Sequence, residues 1–154
     1  MFEVRVQAPP FDAAAEAERL SNGRSDVGAL VTFTGLCRAD PDEKGAALSA
    51  LVLEHYPGMA EAEMERHLEE ARSRWPLTGA IIVHRFGRIR PGEPIVLVVT
   101  ASAHRDAAFF AAQFLMDWLK TNAPFWKKEE REGAGDWVAA KASDDDAAAR
   151  WRKD

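Results

Sequence analysis

The sequence contains very little cysteine, since Cys37 is the only one among 154 residues. A single cysteine excludes an internal disulfide and any cysteine-rich metal site. The sequence also lacks a GxGxxG segment and a P-loop, which excludes the common nucleotide-binding motifs. We therefore expect a protein that holds no metal and no cofactor.

Long apolar runs are missing as well, and none reaches the length that a membrane-spanning helix needs. The first ten residues do not form a signal peptide, because Glu3 and Arg5 interrupt their apolar residues. We expect a cytoplasmic protein that has no membrane as a partner.

An excess of positive charge is also absent, since the formal net charge is −5. Nucleic-acid binding relies on a basic surface, so we do not expect nucleic acid as a partner. Removing the five cations Arg38, Arg105, Lys120, Lys127 and Lys128 takes five positive charges from −5 and leaves −10. If these five converge, they form a positive pocket in an acidic body, which suits a small anionic ligand.

Apolar residues are plentiful, and they make up 47% of the chain. This length and composition suit one compact domain over residues 1–154. Hydrophobic periodicity predicts the elements before the longest helix. Strands are expected at 2–6, 27–37, 49–55, 79–86 and 94–100, and helices at 13–21 and 60–75.

The order of these elements predicts the fold class. Segments 79–86 and 94–100 are joined by GRIRPGE, so we expect two adjacent antiparallel strands. Strands in adjacent pairs with helices between them indicate an α+β domain, with a mainly antiparallel sheet and packed helices. The polar stretch 38–47 is typical of an exposed loop, and a catalytic loop that orders on binding would have the same composition.

The end of the chain predicts a hairpin and a short helix. Segments 125–130 and 137–140 are joined through Gly133 and Gly135, which indicates paired strands. A serine and three aspartates at 143–146 are typical of a helix start, and we expect a helix through Trp151.

The most informative stretch is the predicted third helix, which starts near His104. Phe110, Phe114 and Trp118 recur every four residues, which is typical of a helix packed against a core. Pro124 disfavours helical geometry in the residue before it, so the helix should end near residue 122.

Cations stand at both ends of this helix. His104 and Arg105 lie beside the unpaired N–H groups of its start, where anions bind readily. Lys120 lies in its last turn. In the extended segment that follows, Lys127 and Lys128 point to opposite faces, so only one of them need face the same cavity as Lys120.

Each of these features also has an ordinary structural interpretation. A lysine is usually solvated, and a His-Arg pair often only caps a helix. The aromatic residues Trp118, Phe125 and Trp126 lie among the lysines, however, and they could desolvate an ammonium group and lower its pKa. His55 ends a strand and is either an acid-base group or a hydrogen-bonded structural residue.

Five segments together resemble a known family. They are TFTGLCR at 32–38, LEHYPGM at 53–59, HRFGRIRPGEPIVLVV at 84–99, SAHRDAAF at 102–109 and DWLKTNAPFWKKE at 117–129. In this order they closely resemble the large, catalytic subunit of molybdopterin synthase, the MoaE family. The resemblance covers nearly the whole chain and implies the α/β hammerhead fold of that family.

The resemblance also implies an activity and partners. The family adds two sulfurs to cyclic pyranopterin monophosphate and so forms the dithiolene of molybdopterin. The sulfur arrives as a thiocarboxylate on the C-terminal glycine of a small ubiquitin-like sulfur-carrier subunit, MoaD-like. By the same analogy we expect a homodimer with one small subunit at each far end, a heterotetramer overall.

The resemblance implies the site residues too. Lys120 and Lys127 match the functional lysines, with Lys120 expected to act directly and Lys127 to position the substrate or the thiocarboxylate. A lysine close to other cations can be partly neutral and act as base or nucleophile. The expected substrate-binding residues are Leu36, Cys37, Arg38, His104, Arg105, Lys120, Lys127, Lys128 and Glu129.

Two of these positions depart from the family pattern. Leu36 stands where a polar or basic residue is often found, and Cys37 where an aliphatic residue is usual. Cys37 beside Arg38 could be a reactive thiol with a lowered pKa. Because the sulfur comes from the partner, we interpret Cys37 instead as a packing residue.

Two other functions were compared with this one. A non-catalytic scaffold that only binds the ubiquitin-like tail would be expected to lack Lys120 or Lys127, and both are present. A phosphate-ester hydrolase would need clustered carboxylates or histidines to hold a metal, and the sequence shows no such cluster.

Overall fold

The computed structural model describes residues 1–131, the backbone of 134–137, and residues 147–152. Eight strands and three helices are assigned within these ranges. The strands are β1 (Phe2–Gln7), β2 (Ala29–Leu36), β3 (Leu48–His55), β4 (Leu77–Arg85), β5 (Gly87–Ile89), β6 (Pro94–Ser102), β7 (Phe125–Arg131) and β8 (Ala134–Trp137). The helices are α1 (Ala13–Ser21), α2 (Met59–Arg74) and α3 (Arg105–Thr121).

The strands form two four-stranded sheets. The first has the order β1-β4-β6-β2 and the second the order β5-β3-β7-β8. All pairs are antiparallel except β1 with β4, which is parallel. The predicted α+β class with a mainly antiparallel sheet is confirmed, and so is the pairing of β4 with β6.

The connection between β4 and β6 contains a strand that the sequence pattern did not predict. Gly87 has a φ of 89°, a left-handed conformation that glycine adopts without strain, and the chain turns there. Residues 87–89 then pair with β3 of the second sheet, and Ile89 is fully buried. This short strand links the two sheets.

The first sheet has a hydrophobic layer on each face, because neighbouring residues of a strand point to opposite sides. On one side Ala80, Ile82 and Val98 pack with residues of α2 and α3. On the other side the alternate residues Ile81, Val83, Leu97 and Val99 pack with Leu20 of α1. Burying one such side chain contributes about 1.5–3 kcal/mol.

The predicted helix starts agree with the structure. The Asp12 side chain accepts a hydrogen bond from the Ala15 N–H at 3.0 Å and caps α1. The Glu61 carboxylate accepts one from the Gly58 N–H at 2.8 Å and closes the start of α2.

The buried face of α3 differs in part from the prediction. Ala107, Ala111, Phe114 and Trp118 are buried, whereas Phe110 is 50% exposed. A spacing of four residues advances about 40° more than one full turn, so Phe110 lies well round the helix from Trp118. The buried face of α3 therefore does not include Phe110, although the spacing of four residues had indicated that it would.

The predicted hairpin after α3 is confirmed, but its second strand lies earlier. β8 covers Ala134–Trp137 and pairs with β7 so that Lys128 lies opposite Trp137. Gly135 therefore lies in the strand, while residues 138–140 and Gly133 lie outside the described residues. Residues 147–149 are helical, and the predicted cap at 143–146 also lies outside the described ranges. Within these ranges no helix is long and apolar enough to cross a membrane.

Candidate active site

A cavity of about 660 Å³ lies where the end of β2, the strands β3 and β7 and the last turn of α3 meet. Six of the nine predicted site residues line it, and three do not. The six are Leu36, Cys37, Arg38, Lys120, Lys127 and Glu129.

The chain places the two lysines in this cavity from two different elements. Lys120 lies in the last turn of α3, and the Asn122 N–H closes that helix by donating to the Trp118 oxygen at 2.8 Å. The chain then enters β7 at Phe125. Because alternate residues of a strand share a face, Lys127 lines the cavity and Lys128 does not, as the alternation predicted.

Only one of the three aromatic residues expected around the lysines reaches the cavity. Phe125 lines it, whereas Trp118 is buried against His67 of α2, with ring centres 3.7 Å apart. Trp126 lies on the other face of β7 and contacts Tyr56. The expectation that two tryptophans desolvate the lysines is therefore wrong, and Lys120 is itself exposed.

His104 and Arg105 do not line the cavity of their own chain. They lie at the start of α3, and a helix of 17 residues separates its ends by about 25 Å. Both residues are exposed, and the Arg105 guanidinium lies 3.8 Å from the Asp106 carboxylate. Within one chain His104 and Arg105 therefore do not join Lys120 in the cavity, because the length of α3 holds them apart from it.

Arg38 faces an acidic partner that sequence reasoning missed. Its guanidinium makes a two-pronged contact with the Asp40 carboxylate, at 2.8 Å from Nε and 2.9 Å from Nη2. Both residues line the cavity, and the Arg38 side chain is 75% exposed. A planar guanidinium that holds a carboxylate in this way can hold a phosphate in the same way.

The loop at 38–47 is fixed by hydrogen bonds at two points. The Asp42 carboxylate accepts from the N–H groups of Lys44 and Ala46, at 2.9 and 2.7 Å. Arg131 of β7 donates to the main-chain oxygens of Asp40 and Ala46. The loop therefore has a defined path beside the cavity.

Glu129 lines the cavity and is also held by Arg131. The Arg131 Nη2 lies 2.8 Å from a Glu129 carboxylate oxygen, and the arginine side chain is largely buried. The sequence did not single out Arg131, although its spacing of two residues from Glu129 places both on one face of β7.

His84 is a cavity residue that sequence reasoning missed. Its ring is 6% exposed and stacks on Phe125, with ring centres 3.8 Å apart and planes inclined by 13°. Burial, and then the positive charges of Lys127, Lys120 and His55, lower the pKa of His84 to about 4. Its signal in the sequence was a histidine at the end of the apolar strand AIIVHR.

Cys37 and Leu36 have contrasting environments. Cys37 is 3% exposed and packs with Leu48, Leu53 and Ile89. Burial raises the pKa of its thiol, and the carboxylates of the surrounding chain add to the effect, so the thiol stays protonated and weakly nucleophilic. Leu36 is 57% exposed and follows a bulge in the pairing of β2 with β6.

Gly35 precedes this bulge and allows a close backbone approach. A Cβ atom at this position would lie 2.7 Å from Cγ1 of Val96. The close neighbour is therefore the side chain of a core valine, and the pairing of β2 with β6 shifts register directly after Gly35.

His55 does not line the cavity, and its ring contacts two phenylalanines in the described part of the chain. Its ring lies 4.7 Å from that of Phe86 and 5.8 Å from that of Phe125, measured between centres. It lies opposite Phe125 in the pairing of β3 with β7.

Comparison with known proteins agrees with the fold. The sequence model of the MoaE protein family matches residues 6–122. A molybdopterin synthase catalytic subunit from Mesorhizobium japonicum is 64% identical over 151 residues, covering 97% of this chain and 92% of the relative. The structure of the molybdopterin biosynthesis MoaE protein from Burkholderia ambifaria is 43% identical with a TM-score of 0.81, and the match covers 98% of each chain.

A more distant solved structure shows the same similarity. It is the crystal structure of molybdopterin synthase from Staphylococcus aureus, which is 31% identical with a TM-score of 0.76. The match covers 87% of this chain and 95% of that one. The chain therefore belongs to the MoaE family, whose curated relatives are catalytic subunits of molybdopterin synthase.

Proposed function

We propose that this chain, as a catalytic subunit of molybdopterin synthase, converts cyclic pyranopterin monophosphate to molybdopterin in the cavity that holds Lys120 and Lys127. The sulfur comes from the C-terminal thiocarboxylate of a small ubiquitin-like partner. The observation that carries the proposal is that two lysines from separate elements, α3 and β7, line one cavity together with Arg38.

The cationic side chains around the cavity can bind two anionic groups, the phosphate of the pterin and the thiocarboxylate of the partner. Arg38, Lys120 and Lys127 supply cationic donors, while the lining carboxylates of Asp40 and Glu129 already contact Arg38 and Arg131. A phosphate can replace Asp40 on the guanidinium of Arg38, since both ligands fit its planar pair of donors. The thiocarboxylate then pairs with the ammonium groups of the two lysines.

The two lysines have separate proposed roles. The amine of Lys120 acts directly on the pterin, as a base or as a nucleophile at a pterin carbon. Lys127 is half-buried on β7 and positions the thiocarboxylate. Leu36 and Cys37 form apolar wall, and Glu129 belongs to the binding shell through its ion pair with Arg131. Lys128 does not line the cavity of this chain, so its proposed contact with a ligand lies outside that cavity.

His104 and Arg105 reach a cavity if a second copy of the chain supplies them. β2 is an edge strand, and it runs alongside α3 from the His104 end to the cavity. A two-fold axis through the middle of this surface exchanges its two ends, so that the start of α3 in one copy lies at the cavity of the other.

The surface around this axis favours a homodimer. Large apolar side chains are exposed on both elements: Leu30, Phe33 and Leu36 on β2, and Phe109 and Phe110 on α3. An edge strand and an exposed apolar patch both favour pairing with another chain. With one small partner on each copy, the assembly is a heterotetramer.

The test is Lys120→Ala, assayed with the thiocarboxylated small subunit and the pterin precursor. We expect conversion to be abolished while binding of the small subunit is kept. Lys44→Ala is the matched control, because Lys44 is an exposed lysine that does not line the cavity. Full activity of the Lys120 variant would remove this lysine from the mechanism, and a wild-type chain that binds the small subunit without turnover would support the scaffold function instead.

The cytoplasmic location that the sequence indicated stays a prediction. Fractionation of cells, followed by detection of the chain in each fraction, checks it.

A further inference from the structure

His84 is the one buried imidazole of the described residues that lines the cavity of Lys120 and Lys127. The proposed mechanism does not use it. It lies at the end of β4, opposite Val96 in the pairing with β6, and both residues line the cavity.

The contacts of the ring fix which of its nitrogens is protonated. Nδ1 lies 2.8 Å from the main-chain oxygen of Arg85. A carbonyl oxygen can only accept, so Nδ1 carries the hydrogen and donates it. The neutral ring then has its lone pair on Nε2.

The neighbours of the ring keep it neutral and in one orientation. Phe125 covers one face of the ring and lies two residues before Lys127 on the same face of β7. The charged or titratable groups around it are Lys127 on β7, Lys120 on α3 and His55 on β3. A protonated His84 would add a cation beside these two lysines, so the imidazole stays neutral near pH 7.

Among the side chains that line the cavity in the described residues, the neutral oxygen and nitrogen acceptors are His84 and the hydroxyls of Thr34 and Thr121. Arg38, Lys120 and Lys127 can only donate. The carboxylates of Asp40 and Glu129 already contact Arg38 and Arg131. The pterin carries a phosphate, which needs donors, and ring N–H groups, which need acceptors.

We propose that His84 is a substrate-binding residue whose Nε2 accepts a hydrogen bond from an N–H group of the pterin. This inference rests on the proposed function of the cavity. The lysines and Arg38 then bind the anionic end of the substrate, and His84 binds its heterocycle. The neutral imidazole favours a ligand with an N–H group at this position over an analogue that has only acceptors there.

His67 provides a matched control, because its surroundings are similar but it faces away from this cavity. Its ring stacks on Trp118 with centres 3.7 Å apart, and its Nδ1 lies 2.9 Å from the Glu63 oxygen. It is 7% exposed, and burial lowers its pKa as well. It lines a separate hollow with Trp151. If a stacked histidine has only a structural role, replacing His84 and replacing His67 should therefore have the same effect.

The experiment compares Asn and Gln at each position. An Asn amide can imitate the Nδ1–H donor, and a Gln amide can place its oxygen near Nε2. We expect His84→Asn to raise the Kd for cyclic pyranopterin monophosphate about tenfold, as for loss of one hydrogen bond. His84→Gln should keep most of the affinity, and His67→Asn and His67→Gln should change it little. The Kd is measured by calorimetry without the small subunit, and each variant's Tm is recorded.

A second measurement uses the wild-type chain labelled with ¹⁵N-histidine. We expect the Nε2 resonance of His84 to move when the pterin is added and the Nε2 resonance of His67 to stay in place. Unchanged affinity in His84→Asn, or a His84 resonance that ignores the pterin, would overturn the inference. Equal losses of affinity at both histidines would assign His84 a structural role only.

Failure of the inference can be told apart from failure of the proposed function. If Lys120→Ala is inactive and the wild-type chain binds the pterin, an unaltered His84→Asn defeats only the role of His84. If the wild-type chain does not bind the pterin at all, the proposed function of the cavity is wrong.

Discussion

Arg131 of β7 donates a hydrogen bond to the main-chain oxygen of Asp40, which lies 91 residues earlier in the chain. The same guanidinium binds the Ala46 oxygen and the Glu129 carboxylate. One side chain therefore joins both ends of the loop at 38–47 to a strand that carries cavity residues. The loop presents Arg38 to the cavity, so its path matters for binding the phosphate.

Replacing Arg131 should therefore loosen the loop. We expect Arg131→Ala to cost about 1–3 kcal/mol in the free energy of unfolding, because two half-buried carbonyl oxygens and a carboxylate lose their donor. Hydrogen exchange should rise at residues 39–47, and the KM for the pterin should rise with it. Arg88→Ala is the control, since Arg88 makes an exposed ion pair with Glu130 that contributes at most about 1 kcal/mol. Equal exchange in both variants would show that Arg131 does not hold the loop.

Cys37→Ala should leave the activity intact, because the thiol is buried and the sulfur comes from the partner. The variant loses a buried sulfur atom, so its free energy of unfolding should fall by roughly 1 kcal/mol. Turnover with the thiocarboxylated small subunit and chemical denaturation check the two expectations. In the wild-type chain, alkylation of Cys37 should be slow at neutral pH, since burial raises the pKa of the thiol. Complete loss of turnover in Cys37→Ala would contradict the packing role.

Mixing two inactive variants tests whether sites are shared between copies. In a heterodimer of Lys120→Ala and Arg105→Ala, one site carries both changes and the other carries neither, provided that Arg105 serves the opposite cavity. We expect each variant alone to be inactive and their mixture, after subunit exchange, to regain activity. A mixture of Lys120→Ala with Lys127→Ala is the control and should regain none, since both lysines line the same cavity of one chain. No recovery in the first mixture, despite proven exchange, would contradict the shared site.

The stability of the fold should fall as the pH drops below about 6.5. The pKa of His84 is lowered from 6.5 to about 4 in the folded chain, so the unfolded chain binds a proton more readily in this interval. The stabilisation that the neutral ring of His84 gives the folded chain is complete above pH 6.5. It is lost as the pH falls towards 4, by about 3 kcal/mol in all. His67, whose pKa is also lowered, adds to the loss in the same direction. Denaturant unfolding at several pH values measures the effect, and His84→Gln should reduce the slope.

The local pattern of the sequence predicted much of the fold. The bounds of α1, the pairing of β4 with β6 and the opposite directions of Lys127 and Lys128 follow from rules that act over a few residues. β5 escaped prediction because three residues in a connection show no periodicity, and their pairing with β3 depends on tertiary structure.

The site was harder to predict, because it depends on distances between elements. The sequence placed the cations at opposite ends of one helix but could not show which of them line the same cavity. It also gave no reason to choose His84, since a histidine in an apolar strand looks the same whether it faces the core or a cavity. Arg131 was missed because its contact with the Asp40 oxygen joins segments far apart in the chain. Asp40 was missed because its ion pair with Arg38 forms in a loop that has no periodic pattern.

The 17 residues of α3 fix the distance between the cations at its two ends. In the proposed dimer the helix sets the distance from the axis to both cationic ends, so its length must match the span between the two cavities. Adding one helical turn in its middle would move His104 by about 5 Å relative to Lys120 while leaving the chemistry of both ends unchanged. Such an insertion would separate the effect of the spacing of the charges from the effect of their identity.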